Sequence, residues 1–142
     1  MSFLVERLSV LRRQLDHLHE LRPRVTGPEV LARDLSLHND VLFSLLSVCQ
    51  TVIDIAGELS ARRGERFDDD TQAIRNLASD PRFPPEVVTR LERIPGFRNI
   101  LVHEYVALDL ARVVDAVDDL EPIERFAAIV AGIEAGSEEP GP

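Results

Sequence analysis

Residues 37–63 read LHNDVLFSLLSVCQTVIDIAGELSARR, and this stretch decides the fold class. Leu37, Val41, Leu45, Val48, Val52, Ile55 and Leu59 recur at steps of three and four, the period of one helix face. Leu42, Phe43, Leu46 and Ile53 widen that face. A helix this apolar is expected at the centre of the molecule, touching neighbours on more than one side. Gly64 ends it, because glycine takes the left-handed backbone of a helix terminus without steric cost.

Toward the N-terminus, Leu4, Leu8, Leu11, Leu15 and Leu18 make a second apolar seam over residues 3–21. It is short for a committed coiled coil, so core or dimer packing is its expected use. Thr26-Gly27-Pro28-Glu29 marks a further helix start, with proline in the first turn and an acid beside it. Toward the C-terminus, Asp68, Asp69 and Asp70 offer N-caps for a helix through Leu77. Pro84-Pro85-Glu86 opens another helix, carrying Val87, Val88, Leu91 and Ile94; Pro95-Gly96 is expected to close it and turn the chain into Phe97–Tyr105. Asp109 is a cap for a last helix in which Pro122 should cause a kink or break, since its ring removes a hydrogen bond and clashes with the preceding turn. The apolar residues Ile123, Phe126, Ile129, Val130 and Ile133 continue beyond it. With no internal repeat and no strand alternation, the expectation is an all-α domain over residues 1–133 and a frayed or disordered tail over 134–142.

The totals narrow the function. At 142 residues the chain can bury an apolar core without staples. Cys49 is the single cysteine, so no intrachain disulfide is possible, and a reducing cytoplasm is the expected setting. Charges every few residues near the N-terminus argue against a signal peptide, and no apolar run approaches the roughly 18 residues of a spanning helix. No membrane role is expected. The net charge of −9 sets a constraint: any nucleic-acid-binding surface must be a local patch, and a partner with a basic face is equally compatible.

Chemistry concentrates in Phe97-Arg98-Asn99-Ile100-Leu101-Val102-His103-Glu104-Tyr105. On a helix Asn99 and His103 share a face, whereas Arg98 and His103 stand about 140° apart and about 7.5 Å along the axis. Arg98 is expected beside a loose Pro95-Gly96 turn, from which its long stem could reach the same pocket; a second copy across a two-fold axis would give the same convergence. Such a pair suits RNA cleavage. RNA carries its own nucleophile, the 2′-hydroxyl, and needs only proton transfer and a cation for the developing phosphorane charge. Histidine serves either proton-transfer role near neutrality, and arginine donates two parallel hydrogen bonds to non-bridging oxygens. No metal or cofactor is needed, and His103-Glu104 lacks the second histidine of a zinc-protease spacing. The plainer readings stand beside this one. A lone histidine is commonly a surface or satisfied core residue, and an arginine after Pro-Gly often caps a turn. His17, His19 and His38 read as structural or exposed, and Arg62, Arg63 and Arg66 as a solvated helix end. Asp54, polar inside the most apolar helix, has two open roles: orienting a motif residue, or facing water.

The run RNILVHEY resembles the R-x-x-x-x-H-x-Y signature of HepT-like toxins of the HEPN superfamily, found in type VII toxin–antitoxin systems. TVIDIAGEL resembles that family's I-D-I-A helix, Pro-Gly-Phe-Arg-Asn its G-F-R-N run, and Asp109 falls where the family carries an acid. The likeness covers roughly residues 1–133. It implies a HEPN-type bundle of about five helices, homodimeric, with both motifs lining one cleft. It implies a toxin acting as a metal-independent RNA endonuclease through Arg98 and His103, with Asn99 orienting them. Tyr105 would receive AMP from a partner nucleotidyltransferase (MNT-domain) antitoxin, whose added charge and bulk would obstruct RNA. Leu42-Phe43-Ser44 and Pro122 depart from the family pattern, which touches the dimer surface or RNA access and leaves the motif intact. The competing reading is a non-catalytic HEPN scaffold that docks the nucleotidyltransferase and cuts nothing.

Overall fold

One helix, α3 (Leu35–Arg62), organises the fold. In the computed structural model, which describes residues 2–138, the other α-helices are α1 (Phe3–Leu21), α2 (Pro28–Arg33), α4 (Asp70–Arg75), α5 (Pro85–Leu91), α6 (Ile94–His103), α7 (Leu110–Asp118) and α8 (Glu121–Glu138). Short 3₁₀ turns cover Arg22–Arg24, Asn76–Ser79 and Tyr105–Ala107. No strand occurs among the described residues. The all-α bundle is as expected, but proline and capping aspartate residues divide it into more segments than about five.

The packing follows the periodicity. α3 lies chiefly against α1 and meets α6 and α4 on other sides. Val41, Val48, Val52, Ile55 and Ala56 of α3 are fully buried, together with Leu4, Leu11 and Leu18 of α1. Phe126 of α8 and Phe83 close the far side, their rings 5.9 Å apart. By length and composition α3 is apolar enough to cross a membrane, contrary to the expectation that no run approaches that length. Its apolar side chains are largely taken up by α1, α4 and α6, and it carries Gln50, Thr51 and Asp54, which suits a core helix.

The termini follow side-chain chemistry. Asp34, Asp69 and Asp109 each accept a backbone N–H at the start of α3, α4 and α7, satisfying donors that have no partner within the helix. Gly64 (φ 70°) follows α3 in the left-handed region. Around Pro122 the chain breaks as expected: α7 ends at Asp118, and Pro122 lies in the first turn of α8.

Two expectations need correction. Pro95-Gly96 does not close a helix; it belongs to the first turn of α6, and the turn is made by Glu92 and Arg93. A proline there lacks only an N–H that would have no helical partner, and Phe97 N–H already bonds the Arg93 carbonyl at 3.1 Å. Likewise the helix does not stop at residue 133. α8 runs to Glu138, and Glu134 is buried, accepting from the Ser2 hydroxyl (3.5 Å) and facing Arg62 (3.5 Å). The rest of the predicted tail, residues 139–142, lies outside the described residues.

Candidate active site

α6 is a regular helix through the motif, so the positions of Arg98, Asn99 and His103 follow from helical geometry rather than from a loose turn. Ile94 and Leu101 bury one side of α6 against the core. Arg98 falls at the margin of that side, and Asn99, Val102 and His103 fall on the solvent side.

The Arg98 side chain is only 16% exposed and is held at three points. Its Nε donates to Asn99 Oδ1 (2.9 Å), Nη1 to Gln50 Oε1 (2.6 Å) and Nη2 to Asp70 Oδ2 (2.6 Å). Gln50 comes from the middle of α3 and Asp70 from the first turn of α4, so three elements meet at one guanidinium. The network extends further: Gln50 Nε2 donates to Asp54 Oδ1 (2.9 Å), and Arg7 Nε lies 3.5 Å from Asp54 Oδ2. The Arg7 guanidinium covers the Phe3 ring, 4.7 Å from its centre. Asp54 meets no motif residue directly; Gln50 stands between its carboxylate and Arg98.

His103 is placed differently. It ends α6, is exposed, and makes no hydrogen bond or ion pair among the described residues. Within one chain the structure does not join its imidazole to Arg98 by any hydrogen bond. Tyr105 opens the 3₁₀ turn after α6, and its side chain lies outside what the structure describes. Asp109 serves as the α7 cap, with Oδ1 3.0 Å from the Ala111 N–H.

Gln50 escapes a reading of the sequence because a glutamine in an apolar helix carries no spacing signal. Asp70 stands out there only as a cap. Asp69 takes the capping role, which leaves the Asp70 carboxylate for Arg98. The remaining candidates stay apart from this network. His17 bonds Asp40 (2.8 Å), His19 bonds Glu124, and His38 bonds Asn39 (3.3 Å). Arg62 and Arg63 pair with Glu58, Glu134, Glu65 and Asp80 around the end of α3. Among the described residues no group of three or more His, Cys, Asp or Glu side chains is arranged to hold a metal ion.

Beside the network runs an open groove of about 410 Å³, lined by Arg7, Val10, Phe43, Leu46, Gln50, Asp54 and Val102 among others. Phe43 is 65% exposed and Val102 41%. Beneath Gln50, Cys49 is buried, and that burial pushes its thiol up to about 12 despite the nearby Arg98 charge.

Residues 11–130 match the family model described as ribonuclease HepT-like. A Shewanella oneidensis protein named mRNA nuclease HepT is 30% identical over 105 residues, covering 69% of this chain and 75% of that protein. A protein of Archaeoglobus fulgidus, provisionally described as an RNase, is 30% identical over 87 residues, 61% of this chain and 66% of the relative. The chain thus spans just under two thirds of the archaeal relative's length. Among solved structures, the tri-AMPylated Shewanella oneidensis HEPN toxin in complex with MNT antitoxin superposes with a TM-score of 0.80 at 22% identity, over 93% of this chain and 99% of that one. At that identity the likeness speaks to fold, and it makes the bundle HEPN-type. With the family match spanning residues 11–130 and the Arg98–His103 motif inside it, the chain belongs to the HepT-like ribonucleases.

Proposed function

We propose that this chain is the toxin of a toxin–antitoxin pair, a metal-independent RNA endonuclease working in a reducing cytoplasm as a homodimer. The observation that carries the reading is a tethered, partly buried Arg98 at the edge of an exposed α6 face that also presents Asn99 and His103. A cation fixed before substrate arrives stabilises developing charge without reorganising. The names of the nuclease relatives support the activity, and the nucleotidyltransferase complexes support the partner.

In the proposed reaction the RNA 2′-oxygen bonds to the adjacent phosphorus while the P–O5′ bond breaks. The 2′-hydroxyl proton goes to a general base, and a proton is delivered to the departing 5′-oxygen. The products are a 2′,3′-cyclic phosphate and a 5′-hydroxyl. Arg98 binds the non-bridging oxygens, and His103 carries out proton transfer. Asn99 and Asp54 support Arg98, the first directly and the second through Gln50. Because no hydrogen bond links Arg98 with His103 in one chain, the phosphate must bridge them, or a second copy must bring its own α6 across the cleft. AMP added to Tyr105, on the turn just beyond His103, would place charge and bulk where RNA enters.

The test is cleavage of RNA by purified protein in EDTA. Wild type should cut and leave cyclic-phosphate ends, whereas Arg98→Ala and His103→Ala should lose about 100-fold or more, in line with removal of a transition-state donor or a general acid–base group. An inactive wild type, or variants as active as wild type, would favour the scaffold. After co-expression with the antitoxin, mass spectrometry should find AMP on Tyr105 and none on a Tyr105→Phe variant.

A further inference from the structure

We infer that Gln50 and Asp70 are positioning residues for Arg98, aiming one N–H of each terminal guanidinium nitrogen at the substrate phosphate. The inference rests on the nuclease reading and deepens it. Arginine has five N–H donors in a rigid plane. Asn99, Gln50 and Asp70 take one each from Nε, Nη1 and Nη2. One N–H remains on each terminal nitrogen, the number a bidentate phosphate contact requires.

The clamp has an internal logic. A side-chain amide can sit either way round, and a flipped Gln50 would set its NH₂ against the Arg98 N–H and its oxygen against the Asp54 carboxylate. With Asp54 accepting from Nε2 and Arg98 donating to Oε1, a single orientation satisfies both contacts. Asp54 therefore orients Gln50, and Gln50 orients Arg98. This gives both polar side chains, one turn apart near the middle of α3, a defined role. Asp70 holds the other terminal nitrogen from a different element, α4, so the guanidinium plane cannot swing about its stem. Asp70 is both an acceptor and a charge partner of Arg98, and asparagine keeps the acceptor while removing the charge, so substitution separates the two.

The experiment is steady-state cleavage of an RNA oligonucleotide by full-length Gln50→Met, Asp70→Ala and Asp70→Asn variants, with Arg98 side-chain nitrogen resonances recorded by NMR. Gln50→Met and Asp70→Ala should lower kcat on the order of 10- to 100-fold, the scale of a small misplacement, with KM within about threefold. Asp70→Asn keeps an acceptor and should recover most of kcat. The Arg98 nitrogen signals, resolved in wild type, should broaden in Gln50→Met and Asp70→Ala as rotation is released, and return in Asp70→Asn. An active wild type whose Gln50→Met variant keeps kcat and its Arg98 signals overturns the positioning role alone. A rise in activity on Asp70→Ala overturns it too, making Asp70 a competitor of the phosphate. A wild type that leaves the RNA intact removes the nuclease reading itself, and this inference with it.

Discussion

At the scale of single residues, two groups outside the motif have environments that fix their behaviour. The Cys49 thiol, 3% exposed, is raised to about 12 chiefly by burial, so its reactive thiolate is scarce at neutral pH. Native protein should resist alkylation at pH 8, and labelling should appear only as urea unfolds the chain; mass spectrometry across the titration checks this, and rapid native labelling would contradict the packing around α3. Asp80 is the second case. Its carboxylate accepts from the Arg82 side chain (2.8 and 3.0 Å) and the Arg82 backbone N–H (2.9 Å), and the Arg82 side-chain hydrogen bond is the main cause holding its carboxyl below the usual carboxylate range. Because the folded value lies below the unfolded one, the contribution to stability is complete at neutral pH. It is lost as pH falls from about 4 through the depressed folded value. The stability gap between wild type and Asp80→Asn should therefore be widest at pH 7 and shrink at pH 3 in urea unfolding. A gap independent of pH would show that the Asp80 charge contributes nothing.

At the scale of elements, the sequence was informative wherever one physical rule acted alone. Periodic leucines located α1 and α3 almost to the residue, and the capping aspartates located the starts of α4 and α7. It misled at Pro95-Gly96, where proline's allowance in a first turn and glycine's reputation as a breaker point opposite ways; the α6 contacts of Phe97 and Leu101 with the core decided the outcome. The separation of Arg98 from His103 was legible from helical geometry, but the partners that hold Arg98 were not. Arg98 is drawn inward by partners on α4 and α3 that lie 28 and 48 positions away in the chain, and no local pattern encodes such a meeting. The placement of Gly96 inside α6 can be tested by substitution. A methyl group added at Gly96 would meet open space, with nothing within 4 Å, so Gly96→Ala brings no clash. Alanine should raise stability by about 0.5–1 kcal/mol through lost unfolded-state entropy and better helix propensity. A lower melting temperature in this variant would return Gly96 to a turn.

At the scale of the whole molecule, the question is what covers the groove beside Arg98. Phe43, Val10 and Val102 line it and are exposed at 65%, 38% and 41%, and Gln50 and Asp54 form its inner wall. A second copy seated here would cover these side chains and bring another α6 toward the first, one of the two routes by which the proposed chemistry joins Arg98 and His103. Phe43→Asp puts a charge at the most exposed of these positions, where burial would cost several kcal/mol, while an isolated chain would carry it in water at little cost. The variant should keep its helical circular dichroism and its melting temperature at low concentration. If the proposed dimer forms through this groove, wild type should sediment as a dimer and the variant as a monomer that cleaves RNA poorly although Arg98 and His103 are untouched. Salt separates the two interfaces by sign. Each chain carries a net charge of −9, so screening should tighten self-association of wild type, whereas RNA binding should weaken as ions compete for phosphate contacts. A Phe43→Asp protein that remains dimeric places the interface elsewhere; one that is monomeric and fully active leaves a single chain sufficient, with the phosphate alone bridging Arg98 and His103.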